Sequence, residues 1–259
     1  MTAPPAGKPA PGGDAPAIDV PGATVETVLK DDRYATTARI RLPDGTRAVW
    51  KKSVVVLPPG VRIPAAARSL ARREADHLER LAGIPGIPRL LGRPSADTFL
   101  REWIDGTTLR ERADVPDAVF PALRALLAEV HARGVAYADL AKEENILLGD
   151  DGRTWLIDFQ ISVARGTWLG GLVPLLQQAD RYHLARHVRR RRPDQVTDED
   201  RAALERGKGV LSRLHRTLVK RPYNVVTRRW IKRWSGAGEG RRPDEPRNLR
   251  DEPGTEQSP

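Results

Sequence analysis

The chain has 259 residues and a formal net charge of +10, enough length for a single two-lobed domain with tails. It contains no cysteine, which excludes a disulfide framework and permits a reducing compartment. No apolar run reaches the length of a membrane span and the first residues lack the apolar core of a signal peptide, so the expectation is a soluble, cytoplasmic protein.

Residues 1–22 are mostly Pro, Ala and Gly, too poor in apolar side chains to offset the entropy of ordering, and are expected to form a disordered tail. Three strands are expected over residues 24–29, 38–42 and 47–56, with Pro43-Asp44-Gly45 turning the second hairpin. The first hairpin loop, Lys30-Asp31-Asp32-Arg33-Tyr34, has no glycine. Alternation along the third strand puts Val49 and Lys51 on one face and Trp50 and Lys52 on the other. A helix is expected over residues 65–82, where Leu70, Ala71, Leu78 and Leu81 recur at helical spacing before Gly83. Arg89-Leu90-Leu91 and Thr98-Phe99-Leu100-Arg101 read as two further strands, the second leading into Glu102-Trp103-Ile104-Asp105-Gly106. A helix over residues 116–133 lines up Phe120, Leu123, Leu127 and Val130 and ends at Gly134. His131, on or near that face, reads as a packed core histidine.

The chemistry concentrates between Gly134 and Ser162. Two short apolar runs, Ile146-Leu147-Leu148 and Trp155-Leu156-Ile157, flank the turn Gly149-Asp150-Asp151-Gly152, so they read as a β-hairpin. Asp139 and Asn145 precede its first strand and Asp158 follows its second. A hairpin brings its ends together, so these polar groups should converge. Carboxylate and carboxamide oxygens at one point suit a hard cation such as Mg²⁺.

This order of residues resembles the catalytic and metal loops of the protein-kinase-like superfamily. The closest likeness is to small bacterial kinase-like proteins related to the RIO kinases and the lipopolysaccharide-core sugar kinases. Tyr137-Ala138-Asp139-Leu140 stands where His-Arg-Asp-Leu is common, Asn145 lies six positions after Asp139 rather than five, and Gln160 replaces the Gly of Asp-Phe-Gly. The resemblance implies an α+β, two-lobed fold: a small antiparallel β lobe with one helix over residues 23–104, then a mainly helical lobe over 105–234. It implies ATP and Mg²⁺ as cofactors. Asn145 and Asp158 would hold the metal and Asp139 would accept the proton of a hydroxyl acceptor. Lys142, in the lengthened loop, would stabilise the transferring phosphoryl. Lys51, with Lys52 as the alternative, would reach the nucleotide phosphates, and Glu74 on the first helix would pair with it. Trp103 and Ile104 would meet the adenine edge, beside Arg101 where the family usually has an apolar residue. Asp180 would hydrogen-bond the backbone of the catalytic loop. The glycine-free first loop departs from the phosphate-binding pattern, and Asp31 and Asp32 beside Arg33 oppose a tight anion site there. No Ala-Pro-Glu signature follows Gln160, so the usual peptide platform is missing.

Past this point the chain turns basic: between Arg181 and Trp234 there are 17 Lys/Arg against 5 Asp/Glu. His183 and His187 have helical ligand spacing but no evident third ligand, and read as helix-surface residues. Thr197 reads as the N-cap of a helix opened by Asp198-Glu199-Asp200, with Leu204, Leu211, Leu214 and Leu218 inward. From Arg206 to Trp234 there are ten basic residues and no acid, with Trp230 and Trp234 among them. That mixture suits an anionic membrane surface, at the inner face of the membrane, ahead of nucleic acid. Residues 235–259 read as a second disordered tail. Two functions follow: a phosphotransferase acting on a hydroxyl of a protein, sugar or lipid-linked sugar, or a catalytically weak or inactive kinase-like binding module.

Overall fold

The computed structural model describes residues 16–32, 34–57 and 60–215, and only the backbone of residues 57, 208 and 210–215. Arg33, residues 1–15 and residues 216–259, with Leu218, Trp230 and Trp234, lie outside the described residues.

The first lobe begins with β1 (Thr24–Asp31), β2 (Ala35–Arg41) and β3 (Arg47–Ser53). A short pair, β4 (Val56–Leu57) and β5 (Val61–Arg62), leads into helix α1 (Pro64–Arg80), which starts on Pro64, a residue already set to helical φ. Strands β6 (Leu90–Ser95) and β7 (Thr98–Glu102) complete an antiparallel five-stranded sheet of order β1-β2-β3-β7-β6. Lys51 pairs with Thr37 on β2 and Phe99 on β7, so Val49, Lys51, Phe99 and Arg101 share the inner face. On the outer face Ala38, Ile40, Ala48, Trp50 and Leu100 form a small core of their own.

Half-buried Ile18 and Val20 cover that outer core, and Trp50 Nε1 donates to Asp19 Oδ1 at 2.8 Å. The expected tail therefore ends before them. Two half-buried side chains, each worth up to about 1.5–3 kcal/mol when fully buried, offset the ordering of a short segment. The first hairpin is also tighter than expected, because β2 starts at Ala35 rather than Ala38. Asp32 Oδ1 closes its turn, accepting from the N–H groups of Tyr34 at 2.8 Å and Ala35 at 2.9 Å.

The second lobe opens with β8 (Gly106–Thr108) and helix α2 (Val119–Ala132), then a two-residue strand β9 (Val135–Ala136). The hairpin is present as β10 (Ile146–Gly149) and β11 (Thr154–Leu156), with Ile146 opposite Leu156. β8 adds to its edge, and there a Cβ on Gly106 would lie 2.2 Å from the Leu148 carbonyl oxygen, so only glycine fits. β12 (Val163–Ala164) pairs back to β9, and helices α3 (Val173–Arg191) and α4 (Asp198–His215) follow. Thr197 and Asp200 cap α4 reciprocally, each side chain accepting from the other's backbone N–H. The main core joins α1, α2 and the hairpin through residues such as Leu78, Leu81, Phe120, Leu123, Ile146 and Phe159. This is the two-lobed α+β architecture that the sequence implies. No described helix is long and apolar enough to cross a membrane.

Candidate active site

Lys51 projects from β3 to the inner face of the sheet, and α1 lays Glu74 against it. Lys51 Nζ lies 3.0 and 2.7 Å from the two Glu74 carboxylate oxygens and 3.0 Å from Asp158 Oδ1. Lys51 is 6% exposed and Glu74 1%. Burial disfavours the Lys51 ammonium, but the Glu74 and Asp158 carboxylates outweigh it and hold its pKa above the ordinary lysine value. The two acids divide differently. Complete burial raises Glu74 above the ordinary carboxylate range, with Lys51 opposing and Asp158 adding to the rise. Burial also works upward on Asp158, but the Lys51 charge and hydrogen bond and the Gln160 N–H bring it below that range. Lys52 is only partly buried, and alternation turns it to the opposite face.

The catalytic-loop side is built on backbone hydrogen bonds. Ala138 has φ 65°, a left-handed conformation that is costly for a residue with a Cβ. It aims the N–H groups of Tyr137 and Ala138 at the same carboxylate: each donates to Asp180 at 2.8 Å. His131 donates its Nε2–H to Asp180 as well, at 3.0 Å, so this core histidine orients the group that holds the loop. Asp139 follows directly. Its Oδ2 accepts from Lys142 Nζ and Asn145 Nδ2, both at 2.8 Å, leaving Oδ1 free of those donors. The Asp139 contact raises the Lys142 ammonium.

The lengthened loop turns at Asp139–Lys142 and closes with a short 3-10 helix, Glu143–Asn145. Ala141, Lys142 and Glu144 are exposed, so the added residue is taken up on the outside. Ile157 N–H then donates to the Asn145 carbonyl at 3.0 Å, setting Asn145 and Asp158 side by side at the open end of the hairpin. Asp158 too has φ 65°, which turns its carboxylate toward Lys51 while Phe159 is buried in edge contact with Tyr137, ring centroids 5.0 Å apart.

Among the described residues no three His, Cys, Asp or Glu side chains gather as a metal-binding set. The donor set on offer is one carboxylate oxygen of Asp158 beyond the one taken by Lys51, and the amide oxygen of Asn145, whose nitrogen is spent on Asp139. Two oxygen donors with one negative charge fit Mg²⁺, which keeps several water or phosphate ligands.

Trp103 and Ile104 form the extended link between the lobes. The Trp103 ring is committed to the protein: Arg39 stacks 5.0 Å from its centroid and its Nε1–H donates to Asp105 Oδ1 at 2.9 Å. Among the described residues the backbone N–H groups of Trp103, Ile104 and Asp105 make no hydrogen bond, so the link offers open donors. Arg101 Nη1 donates to the Glu102 carbonyl at 3.2 Å.

Other contributors carry no motif. Arg73 donates to the carbonyls of Gln160 and Ser162, both at 3.2 Å, and His77 Nε2–H to Ser162 at 2.9 Å, so α1 clamps the short segment after Asp158. Their spacing around Glu74 on one helix face was the available signal. His187 corrects the surface assignment: it is 4% exposed and donates Nε2–H to the Leu140 carbonyl at 2.7 Å.

No protein-family model matches the chain. Among solved structures it is similar to a Rio2 kinase–ADP/Mg²⁺–phosphoaspartate complex from Chaetomium thermophilum, at 18% identity and TM-score 0.51, over 71% of this chain and 62% of that one. It is similar also to a second structure of the Chaetomium thermophilum Rio2 kinase, at 15% identity and TM-score 0.51, over 74% of this chain and 73% of that one. The first alignment thus spans less than two thirds of that kinase's length. By fold, the chain is protein-kinase-like, with a RIO-type kinase as its structural neighbour.

Proposed function

We propose that the protein is a Mg²⁺-dependent phosphotransferase that moves the γ-phosphoryl group of ATP to a hydroxyl of an acceptor. The observation that carries this reading is the meeting of Lys51, Glu74 and Asp158 next to a catalytic loop whose Asp139 keeps one oxygen open. Lys51, held by Glu74, reaches the α- and β-phosphates. Ile104 N–H meets the base. Asn145 and Asp158 hold Mg²⁺, which when bound neutralises phosphate charge. Asp139 Oδ1 takes the proton of the acceptor hydroxyl as its oxygen bonds to the γ-phosphorus and the bond to ADP breaks. Lys142 fixes Asp139 and places a second cation beside the transferring group. The acceptor is a protein, a sugar or a lipid-linked sugar.

Two observations favour a second reading, a kinase-like binding module of low activity. The Tyr34 and Ala35 N–H groups that a glycine loop would offer to phosphate are held by Asp32, and the Glu102 carbonyl is held by Arg101. Calorimetry with ATP and Mg²⁺, beside a phosphoryl-transfer assay, separates the two. Under the first reading Asp158→Ala abolishes Mg²⁺-dependent binding, and Asp139→Ala lowers turnover about 10²–10⁴-fold with nucleotide affinity kept. Wild-type turnover in Asp139→Ala would leave the binding module standing. The basic stretch from Arg206 to Trp234 supports an anionic lipid surface as a further partner, at the inner face of the membrane. Binding to anionic vesicles that weakens with salt would test it.

A further inference from the structure

Helix α3 runs beside the catalytic loop and meets it at three points. Asp180 takes the N–H groups of Tyr137 and Ala138, His187 meets the Leu140 carbonyl, and Arg190 pairs with Glu143. Residues 183, 186, 187 and 190 fall at helical spacings of three and four, so they form one stripe facing that loop. Between stripe and loop lies a recess of about 270 Å³ lined by Ala141, His183, Arg186, His187, Arg189 and Arg190. Apart from Ala141, the lining is three arginines and two histidines.

The charge there is poorly matched. Glu143 is the carboxylate facing it, and it already meets Arg190, Arg191 and, at 3.4 Å, His187 Nδ1. Arg186 stacks on the Tyr182 ring, 5.8 Å from its centroid, and among the described residues neither Arg186 nor Arg189 pairs with a carboxylate. Two exposed guanidiniums with free forks are suited to a phosphate, which they grip bidentately. The volume is below that of a pocket for a drug-sized molecule and suits a group of a few heavy atoms. Ala141 is two residues from Asp139, so their Cα atoms lie at most about 7.6 Å apart. The recess therefore opens on the same loop that carries the proton acceptor, so one small acceptor could meet both.

We propose that this recess binds a phosphate monoester already carried by the acceptor, which makes the acceptor a small phosphorylated sugar or polyol. The proposal rests on the phosphotransferase reading for its use, but its binding test does not. The enzyme would then follow a reaction that phosphorylates the same small molecule elsewhere, since its own substrate arrives as a monoester.

The probes are glucose 6-phosphate, glucose and inorganic phosphate, titrated calorimetrically into the full chain without nucleotide. The expected result is saturable binding of glucose 6-phosphate and inorganic phosphate but not of glucose. Affinity should fall about tenfold or more in Arg186→Ala/Arg189→Ala, two exposed positions whose loss leaves Tm unchanged. It should hold in Arg68→Ala/Arg72→Ala, which removes equal charge from α1. Affinity unmoved by the Arg186/Arg189 change, equal loss in the α1 control, or no saturable binding of either phosphate would each overturn the proposal. A parallel ADP–Mg²⁺ titration reports on the phosphotransferase reading separately. If only that titration fails, the anion site stands and the chemistry around it must be rethought.

Discussion

The two halves of the candidate site are held in different ways. On the sheet side, one ammonium is shared by two carboxylates, and long side chains do all the positioning. On the loop side, one buried carboxylate, Asp180, grips two consecutive backbone N–H groups and a histidine, and Asp139 inherits its place from the backbone. The first arrangement is a balance of charges and can be rearranged by whatever brings new charge, as phosphates would. The second is a rigid seat that no ligand needs to reset. A site that must admit a polyanion and then place a proton acceptor to within a fraction of an ångström has use for both.

The sharpest way to break this comparison is at Lys51. Lys51→Met leaves Glu74 and Asp158 facing each other in a buried site, and removal of one partner from a buried charge cluster costs about 3–5 kcal/mol. Denaturant unfolding should register that loss. Lys51→Met/Glu74→Leu removes the stranded charge and should recover most of the stability, but no phosphoryl transfer. If the double variant is no more stable than the single one, the sheet side is not a balance of charges.

Asp180→Ala tests the loop side. It leaves the buried Tyr137 N–H, the part-buried Ala138 N–H and His131 without their acceptor, at about 1–3 kcal/mol for each unsatisfied buried group. A loss of about 2–6 kcal/mol is expected, together with a fall in turnover larger than any fall in nucleotide affinity. Asp180→Asn keeps an acceptor oxygen and should lose less. Equal effects from the two would mean that the carboxylate charge, not the seat, matters.

The asymmetry also decides what could be read from the sequence. Strand alternation set Lys51 and Lys52 on opposite faces, but the choice of Lys51 came from the resemblance, as did that of Glu74 from its register to Leu78 and Leu81. Asp180 was legible only through the resemblance, since nothing local marks a helix acid as a backbone acceptor. His187 was misread for the same reason: its burial comes from a loop 47 residues earlier in the chain, outside any window of helical periodicity. Ile18 and Val20 were hidden by averaging, two apolar residues in a stretch dominated by Pro, Ala and Gly. Asp32 was visible as an acid, but its role as a turn-closing acceptor depends on a β2 that begins three residues early.

Three histidines packed around the loop side give the comparison a pH signature. Burial holds His77, His183 and His187 below their ordinary value of 6.5. Nearby arginines reinforce this at each, while Asp76, the Asp180 and Asp139 pair, and Glu143 respectively oppose it. From about pH 6.5 down to the lower folded values, the unfolded chain binds more protons than the folded one. Stability therefore rises with pH across that window and is lost on acidification. Each histidine contributes at most about 1.4 kcal/mol per pH unit. Melting temperature followed from pH 8 to 5 should fall below about 6.5, and His77→Gln should make the fall shallower. A flat profile over that range would show that the three rings are not held neutral.

The smallest effect expected is at Arg101, on the inner face of β7 and within reach of both sides. Its Nη1 donates to the Glu102 carbonyl, and its charge acts on Glu74 and Asp158. An adenine amino group that docks on the link would have to compete for that carbonyl. Arg101→Leu frees it, and a net hydrogen bond of about 0.5–1.5 kcal/mol corresponds to ATP binding up to about tenfold tighter. The same change removes a cation that helps keep Asp158 ionised, so Mg²⁺ binding should need a slightly higher pH in the variant than in the wild type. Calorimetry with ATP and with a nucleotide that presents a carbonyl at the same edge, GTP, separates the two consequences. Freeing the carbonyl favours ATP selectively, whereas loss of charge weakens both nucleotides alike. Equal weakening would mean that Arg101 serves the charge balance around Lys51 and has no part in reading the base.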